Sequence, residues 1–209
     1  MKNFFENIPK QTVLLVSILI IIFVSPLLTN TILAPYLNTI SSFFILASLF
    51  AIVNKKGKVF KSMIVLSLII TVILPFFENQ AYKYFAYLFT LSIFIYTSSL
   101  MLAKIAASKR VDALLIVEAI IGYLLIGLVL LLLNQAVLVA SENAFTKPDM
   151  NFADVVYFSY ITLTTIGFGD ISPNNELTKV IAVLGGISGQ LYLTIVIAFI
   201  VGKFTSIKS

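Results

Sequence analysis

The chain has 209 residues, 60% hydrophobic and only 11% charged, which excludes a soluble globular domain of this size. It contains no Cys and no His, so disulfides, thiolate chemistry and His-based metal sites are excluded as well. The formal net charge of +5 could suit an anionic partner, but the basic residues cluster in short loops, where they set membrane topology, and no nucleic-acid partner is expected.

Six apolar runs follow in order, near 12–29, 38–53, 62–77, 81–103, 111–133 and 177–203. Each approaches the ~20 residues that cross a bilayer, which predicts an all-α membrane protein with six transmembrane helices bathed in lipid. The second and third runs are short and would need tilt or a locally thinned bilayer. The first follows Lys2 and Lys10, but it is long for a signal peptide and no small-residue cleavage site follows, so it reads as an uncleaved span. Pro26, near its end, either kinks or terminates the helix. Asn54 to Lys58 reads as a tight inner turn, while Pro35 and the 75–80 stretch mark outer ends.

Loop charge sets the orientation. With both termini cytoplasmic, eleven basic residues lie inside and three, Lys83, Lys147 and Lys179, lie outside. The segment 134–176 then faces outward. The chain divides into a four-span bundle, 1–104, and a two-span module, 105–209. Glu118 is the one acid well inside a predicted span, either a paired structural acid, with Tyr96, Thr97, Ser98, Ser99 or Lys104 in reach, or a coupling acid between the two halves.

Between the last two runs stands Thr164-Thr165-Ile166-Gly167-Phe168-Gly169-Asp170. Its glycines permit backbone angles that bulkier residues forbid, and a chain held that way can turn successive carbonyls toward a line of cations. Four copies around an axis would replace the water around a dehydrated K⁺. This stretch resembles the selectivity filter of tetrameric potassium channels, whose pattern Thr-(Val/Ile)-Gly-(Tyr/Phe)-Gly-Asp is matched at every position. The context of span, polar turret, short helix, filter and span matches too.

The resemblance implies a re-entrant pore helix over 151–164, capped by Asn151 or Asp154, and a filter loop between the fifth and sixth helices. Carbonyls of Thr165, Ile166, Gly167 and Phe168 would hold K⁺, with Gly169 completing the filter. K⁺ is then the permeant ligand, and no cofactor is expected. Thr164 would support the filter. Asp170 would bond to Tyr157, while Ile161 stands where some relatives carry a second acid. Phe168 lacks the hydroxyl of the commoner Tyr. The last span would line the inner cavity. Gly189 falls where relatives place a gating hinge, with Gly185 and Gly186 as further candidates and close helix packing as the alternative. One filter per chain implies a homotetramer with closed cyclic symmetry.

The front half matches that family by span count alone. Its fourth run carries no arginine, with Lys83 and Lys104 only at its ends, so strong voltage gating is not expected. The short 104–110 connection reaches only ~10 Å and favours each bundle packing on its own pore module. Six residues follow Lys203, so no ligand-binding domain is expected there, and a regulator would act on the membrane part or as a separate subunit. The compact chain and its Ile, Lys and Asn usage point to a prokaryotic plasma membrane.

Gly-Phe-Gly-Asp also fits a motif of intramembrane aspartyl proteases, but the second intramembrane aspartate such an enzyme needs is missing, so no enzyme is expected. A secondary transporter would show inverted repeats or paired broken helices, and neither is visible. The remaining alternatives are a non-selective cation channel, which would need a degraded filter, and a regulatory subunit of a heteromeric channel.

Overall fold

A computed structural model describes residues 10–29, 80–108, 112–141 and 143–206, together with residues 31, 45, 62, 65–67, 69, 70 and 73. The expected second and third spans lie largely outside the described residues, as do Pro35 and the Asn54 to Lys58 turn.

Five α-helices are described: α1 Lys10–Leu19, α2 Gln80–Ala107, α3 Ala113–Ala140, α4 Phe152–Leu163 and α5 Glu176–Ser206. Among the described residues, four stretches are long and apolar enough to cross a membrane: Gln11–Leu28, Leu88–Ala107, Ala113–Ala140 and Glu176–Gly202. They correspond to the first, fourth, fifth and sixth apolar runs. With 12 residues α4 rises only about 18 Å, too short to cross.

Pro26 neither leaves α1 unchanged nor ends it at once. The helix continues through a π turn, Ile20–Val24, and a 3₁₀ turn, Ser25–Leu28. Pro has no N–H to give, and the preceding N–H, of Ser25, bonds to the Ile20 carbonyl five residues back. The pitch therefore changes where the regular ladder would break.

Local signals start the later helices. Asp112 caps α3, its carboxylate accepting from the Leu115 N–H at 2.8 Å. Asn151 and Asp154 cap α4 reciprocally, each side chain accepting from the other's backbone N–H at 3.1 Å, so both candidates take part. The Asn175 side chain accepts from the Thr178 N–H at 2.9 Å at the head of α5.

Two boundaries move. The fifth apolar run stops at 133, before Asn134 and Gln135, yet α3 continues to Ala140. It can do so because the Asn134 amide finds a buried partner on α4, described below. At the other boundary, α2 runs unbroken past 104 to Ala107.

The centre of the molecule is α3, against which α1, α2, α4 and α5 all pack. Leu14 and Ile18 of α1, Ile93 of α2, Ile121 and Leu125 of α3 and Val155 of α4 share one core cluster. Leu130, Phe158, Leu163 and Ile181 form a second with Ala144, Phe145 and Ile171 of the loops that flank α4. Within a bilayer, apolar burial between helices gains little over lipid, so close approach and polar bonds carry the specificity. Accordingly Gly127 leaves room for the Tyr160 ring and Gly122 for the Tyr192 hydroxyl. By contrast α5 exposes a long apolar surface that includes Val180, Val183, Leu184, Ile187 and Leu191.

Candidate functional site

The segment after α4 hangs from that helix's last carbonyls. The Thr164 N–H reaches the Tyr160 carbonyl at 2.9 Å, that of Thr165 reaches Thr162 at 3.0 Å, and those of Ile166 and Gly167 both reach Ile161, at 3.0 and 3.2 Å. The Thr164 hydroxyl adds a bond to the Tyr160 carbonyl at 2.8 Å.

A trans peptide points its C=O opposite to its N–H. With the N–H groups of Thr165, Ile166 and Gly167 turned toward α4, the carbonyls of Thr164, Thr165 and Ile166 point away from it. The backbone alternates to achieve this: Thr165, Gly167 and Gly169 have φ of 59°, 52° and 80°. The two glycines enter this left-handed region freely. Thr165 is β-branched and strained there, at a cost on the order of 1–3 kcal/mol. Sequence reading found the glycines but not the left-handed threonine.

The whole run 164–170 is exposed, with Ile166 at 57% and Phe168 at 72%. Two large apolar side chains thus stand without cover in a single chain. The end of α4, where helix dipoles concentrate negative potential, adjoins the same segment.

Its outer end is tied down. The Tyr157 hydroxyl lies 2.9 and 2.8 Å from the two Asp170 carboxylate oxygens. The Tyr157 phenol is pushed above the usual range, first by desolvation, then by its hydrogen bond to Asp170 and that residue's negative charge. The chain that follows pairs with the turret. Thr146 donates its N–H to the Ser172 carbonyl at 2.9 Å and accepts the Ser172 N–H on its hydroxyl at 3.0 Å. Asn174 N–H and the Thr178 hydroxyl both reach the Ala144 carbonyl, at 2.9 and 2.8 Å. Behind them the Phe145 and Phe158 rings meet edge to face at 5.0 Å. On the turret side Lys147 pairs with Asp154 at 2.6 Å.

The inner end is held by residues that sequence reading missed. Tyr160 donates to the Leu124 carbonyl at 2.9 Å, and Tyr123 lies 3.4 Å from the Leu163 carbonyl. Tyr192 of α5 donates to the Ala119 carbonyl at 2.6 Å. Polar side chains inside spans were the available signal, since a hydroxyl in lipid needs a partner.

The three candidate hinge glycines fall in different settings. A Cβ on Gly189 would overlap the Leu163 carbonyl oxygen, so here α5 meets the backbone of α4 where the filter-like segment begins. One on Gly185 would touch Leu130 and Thr162, and one on Gly186 would meet nothing within 4 Å among the described residues.

Glu118 is 2% exposed. One carboxylate oxygen accepts from Lys104 of α2 and, at 3.2 Å, from the Gln11 amide of α1. Of the partners considered from sequence, Lys104 is the one that the described bonds place on it, and Gln11 was not foreseen. The cluster borders a cavity of about 340 Å³ that Asp112, Leu114 and Leu115 also line.

Comparison with known proteins enters at this point. Residues 118–206 match the family described as ion channel. The chain is 29% identical over 68 residues to two-pore potassium channel 4 of Arabidopsis thaliana, covering 32% of this chain and 24% of that protein. It is 35% identical over 60 residues to two pore potassium channel a of Oryza sativa subsp. japonica, covering 29% of this chain and 16% of that one. The chain therefore spans about a quarter or less of the length of these relatives. No solved structure matches. The protein is a helical membrane protein whose second half matches an ion-channel family and is similar there to potassium channels.

Proposed function

We propose that the chain is the subunit of a homotetrameric, potassium-selective channel that passes K⁺ passively down its electrochemical gradient. The observation that carries this reading is the alternating backbone of 165–169, which commits N–H groups to α4 and frees carbonyls on the opposite side. Three or four carbonyls from one chain cannot surround a cation, whereas rings from four chains replace its hydration shell. The uncovered Ile166 and Phe168 and the exposed face of α5 are surfaces that further copies would bury. In this reading α4 is a re-entrant pore helix. Thr165, Ile166, Gly167 and Phe168 contribute the K⁺ sites, and conduction proceeds by knock-on between adjacent ions.

The same reading keeps six spans with both termini cytoplasmic, and places the protein in a plasma membrane, as a prokaryotic channel. Helix α2 carries no arginine among its 28 residues, which supports weak voltage dependence.

The test is the reversal potential of purified protein in planar bilayers with K⁺ on one side and Na⁺ on the other. A potential far toward the K⁺ equilibrium value, lost in Gly167→Asp, is the expected result. A reversal near zero would favour a non-selective cation channel. No current from a verified tetramer would favour a regulatory subunit that needs a partner chain.

A further inference from the structure

We infer that Asn134 is a positioning residue for the filter: its bond to Ser159 sets the rotation of α4, and α4 sets the alignment of the filter carbonyls. This rests on the channel reading above.

The Asn134 amide nitrogen donates to the Ser159 hydroxyl at 2.9 Å, across 25 residues of chain and between α3 and α4. Both residues are buried, Asn134 at 2% and Ser159 at 0% exposure. The Asn134 amide oxygen is also buried and has no partner among the described residues. Turning the amide over would only exchange which of its two polar atoms is left unmatched. The neighbouring Gln135 side-chain oxygen is likewise buried and has no partner among the described residues. Stability alone does not explain such a residue, because replacing both members of a buried polar pair by apolar groups is often neutral or better. A buried Asn that costs stability but fixes register is the established use of this chemistry in helix packing.

Register matters here because of what hangs from α4. The remaining buried residues of that helix are Val155, Val156, Phe158 and Leu163, apolar contacts that barely distinguish one rotation from another in lipid. Ser159 directly precedes Tyr160, Ile161 and Thr162, whose carbonyls receive the N–H groups of residues 164–167. A rotation of α4 by about 10° at the ~2.3 Å helix radius moves those carbonyls by about 0.4 Å. That is close to the ~0.5 Å within which a functional constellation must be held. The Tyr160 bond to Leu124 and the Tyr123 contact with the Leu163 carbonyl hold the end of α4, and the Asn134 bond adds a buried fixed point at Ser159, on the turn just before the carbonyls from which residues 164–167 hang.

The experiment uses the full chain in bilayers. Asn134→Leu, Ser159→Ala and the double variant are compared with wild type by K⁺/Na⁺ reversal potential and by thermal melting. The expected result is a K⁺/Na⁺ permeability ratio at least tenfold lower in each single variant, no further loss in the double variant, and an unchanged or higher melting temperature for the double variant, in which both polar partners are gone. A wild-type ratio in both single variants would overturn the inference and leave the channel reading intact. If Asn134→Leu does not assemble, Ser159→Ala decides by the same criterion. A wild type with no K⁺ preference removes the channel reading, and this inference with it.

Discussion

Gly189 and Gly186 lie one turn apart on α5 and should respond oppositely to alanine. Each substitution gains about 1 kcal/mol of helix propensity. At Gly186 no described residue lies within 4 Å of the new methyl, so the gain stands. At Gly189 the methyl lands on the Leu163 carbonyl, with that group's carbon at 2.9 Å and Leu163 Cδ1 at 3.1 Å. The obstacle is backbone, not the far end of a flexible side chain, and α5 must retreat or α4 must bend. Overpacking of this kind costs about 1–3 kcal/mol, which cancels or exceeds the propensity gain. The two variants should therefore differ by about 1–3 kcal/mol per subunit, or about 5- to 140-fold in the folding equilibrium. Thermal or denaturant melting of the purified protein in detergent measures this, with bilayer recordings of the same variants alongside. Equal shifts of the same sign would refute the close-approach argument. An unchanged melting point with a lowered open probability for Gly189→Ala would instead make it a hinge.

Tyr157→Phe removes the hydroxyl that the structure sets against both Asp170 oxygens, and the current should decay faster under sustained activation, as patch recordings would show. Because the neutral phenol is the donor and its pKa lies above the ordinary 10.0, the bond persists below pH 10 and is lost as pH rises through the raised value. Alkaline titration of filter stability should show that loss in wild type and none in Tyr157→Phe. Lys104→Met leaves the Glu118 carboxylate buried with Gln11 alone and should destabilise by about 1–3 kcal/mol, less than a fully buried pair because the Lys104 side chain is 55% exposed. Adding Glu118→Gln should recover most of that in a double-mutant cycle, and a strictly additive result would show that the two side chains do not interact. Asn151→Ala loses half of the α4 capping box and should cost about 0.5–2 kcal/mol in the same melting assay.

Much of the helical layout was legible because its signals are local. Hydropathy marked the runs that became α1, α2, α3 and α5, and Asn151 and Asp154 announced the start of α4 through capping chemistry that needs only three neighbouring residues. The pairing of Tyr157 with Asp170 was expected from the resemblance to potassium-channel filters, and the structure sets the Tyr157 hydroxyl on both Asp170 oxygens. The end of α3 was not. Asn134 and Gln135 look like the edge of a span, and only a serine 25 residues later makes Asn134 tolerable inside one. The left-handed Thr165 was hidden too, because its φ is imposed by N–H bonds to α4 and no intrinsic preference of threonine announces it.

The sequence by itself determined that this is a helical membrane protein and where α1, α2, α3 and α5 begin, to within a few residues. Those properties depend on composition and on neighbours a few positions away. The tertiary structure decided which way the carbonyls face, that Gly189 sits against the Leu163 backbone, and that Glu118 meets both Lys104 and, 107 residues away in the chain, Gln11. Each of these depends on where separate helices cross, and inside a bilayer that is chosen by close approach and a few polar bonds, because apolar burial favours no one crossing over another.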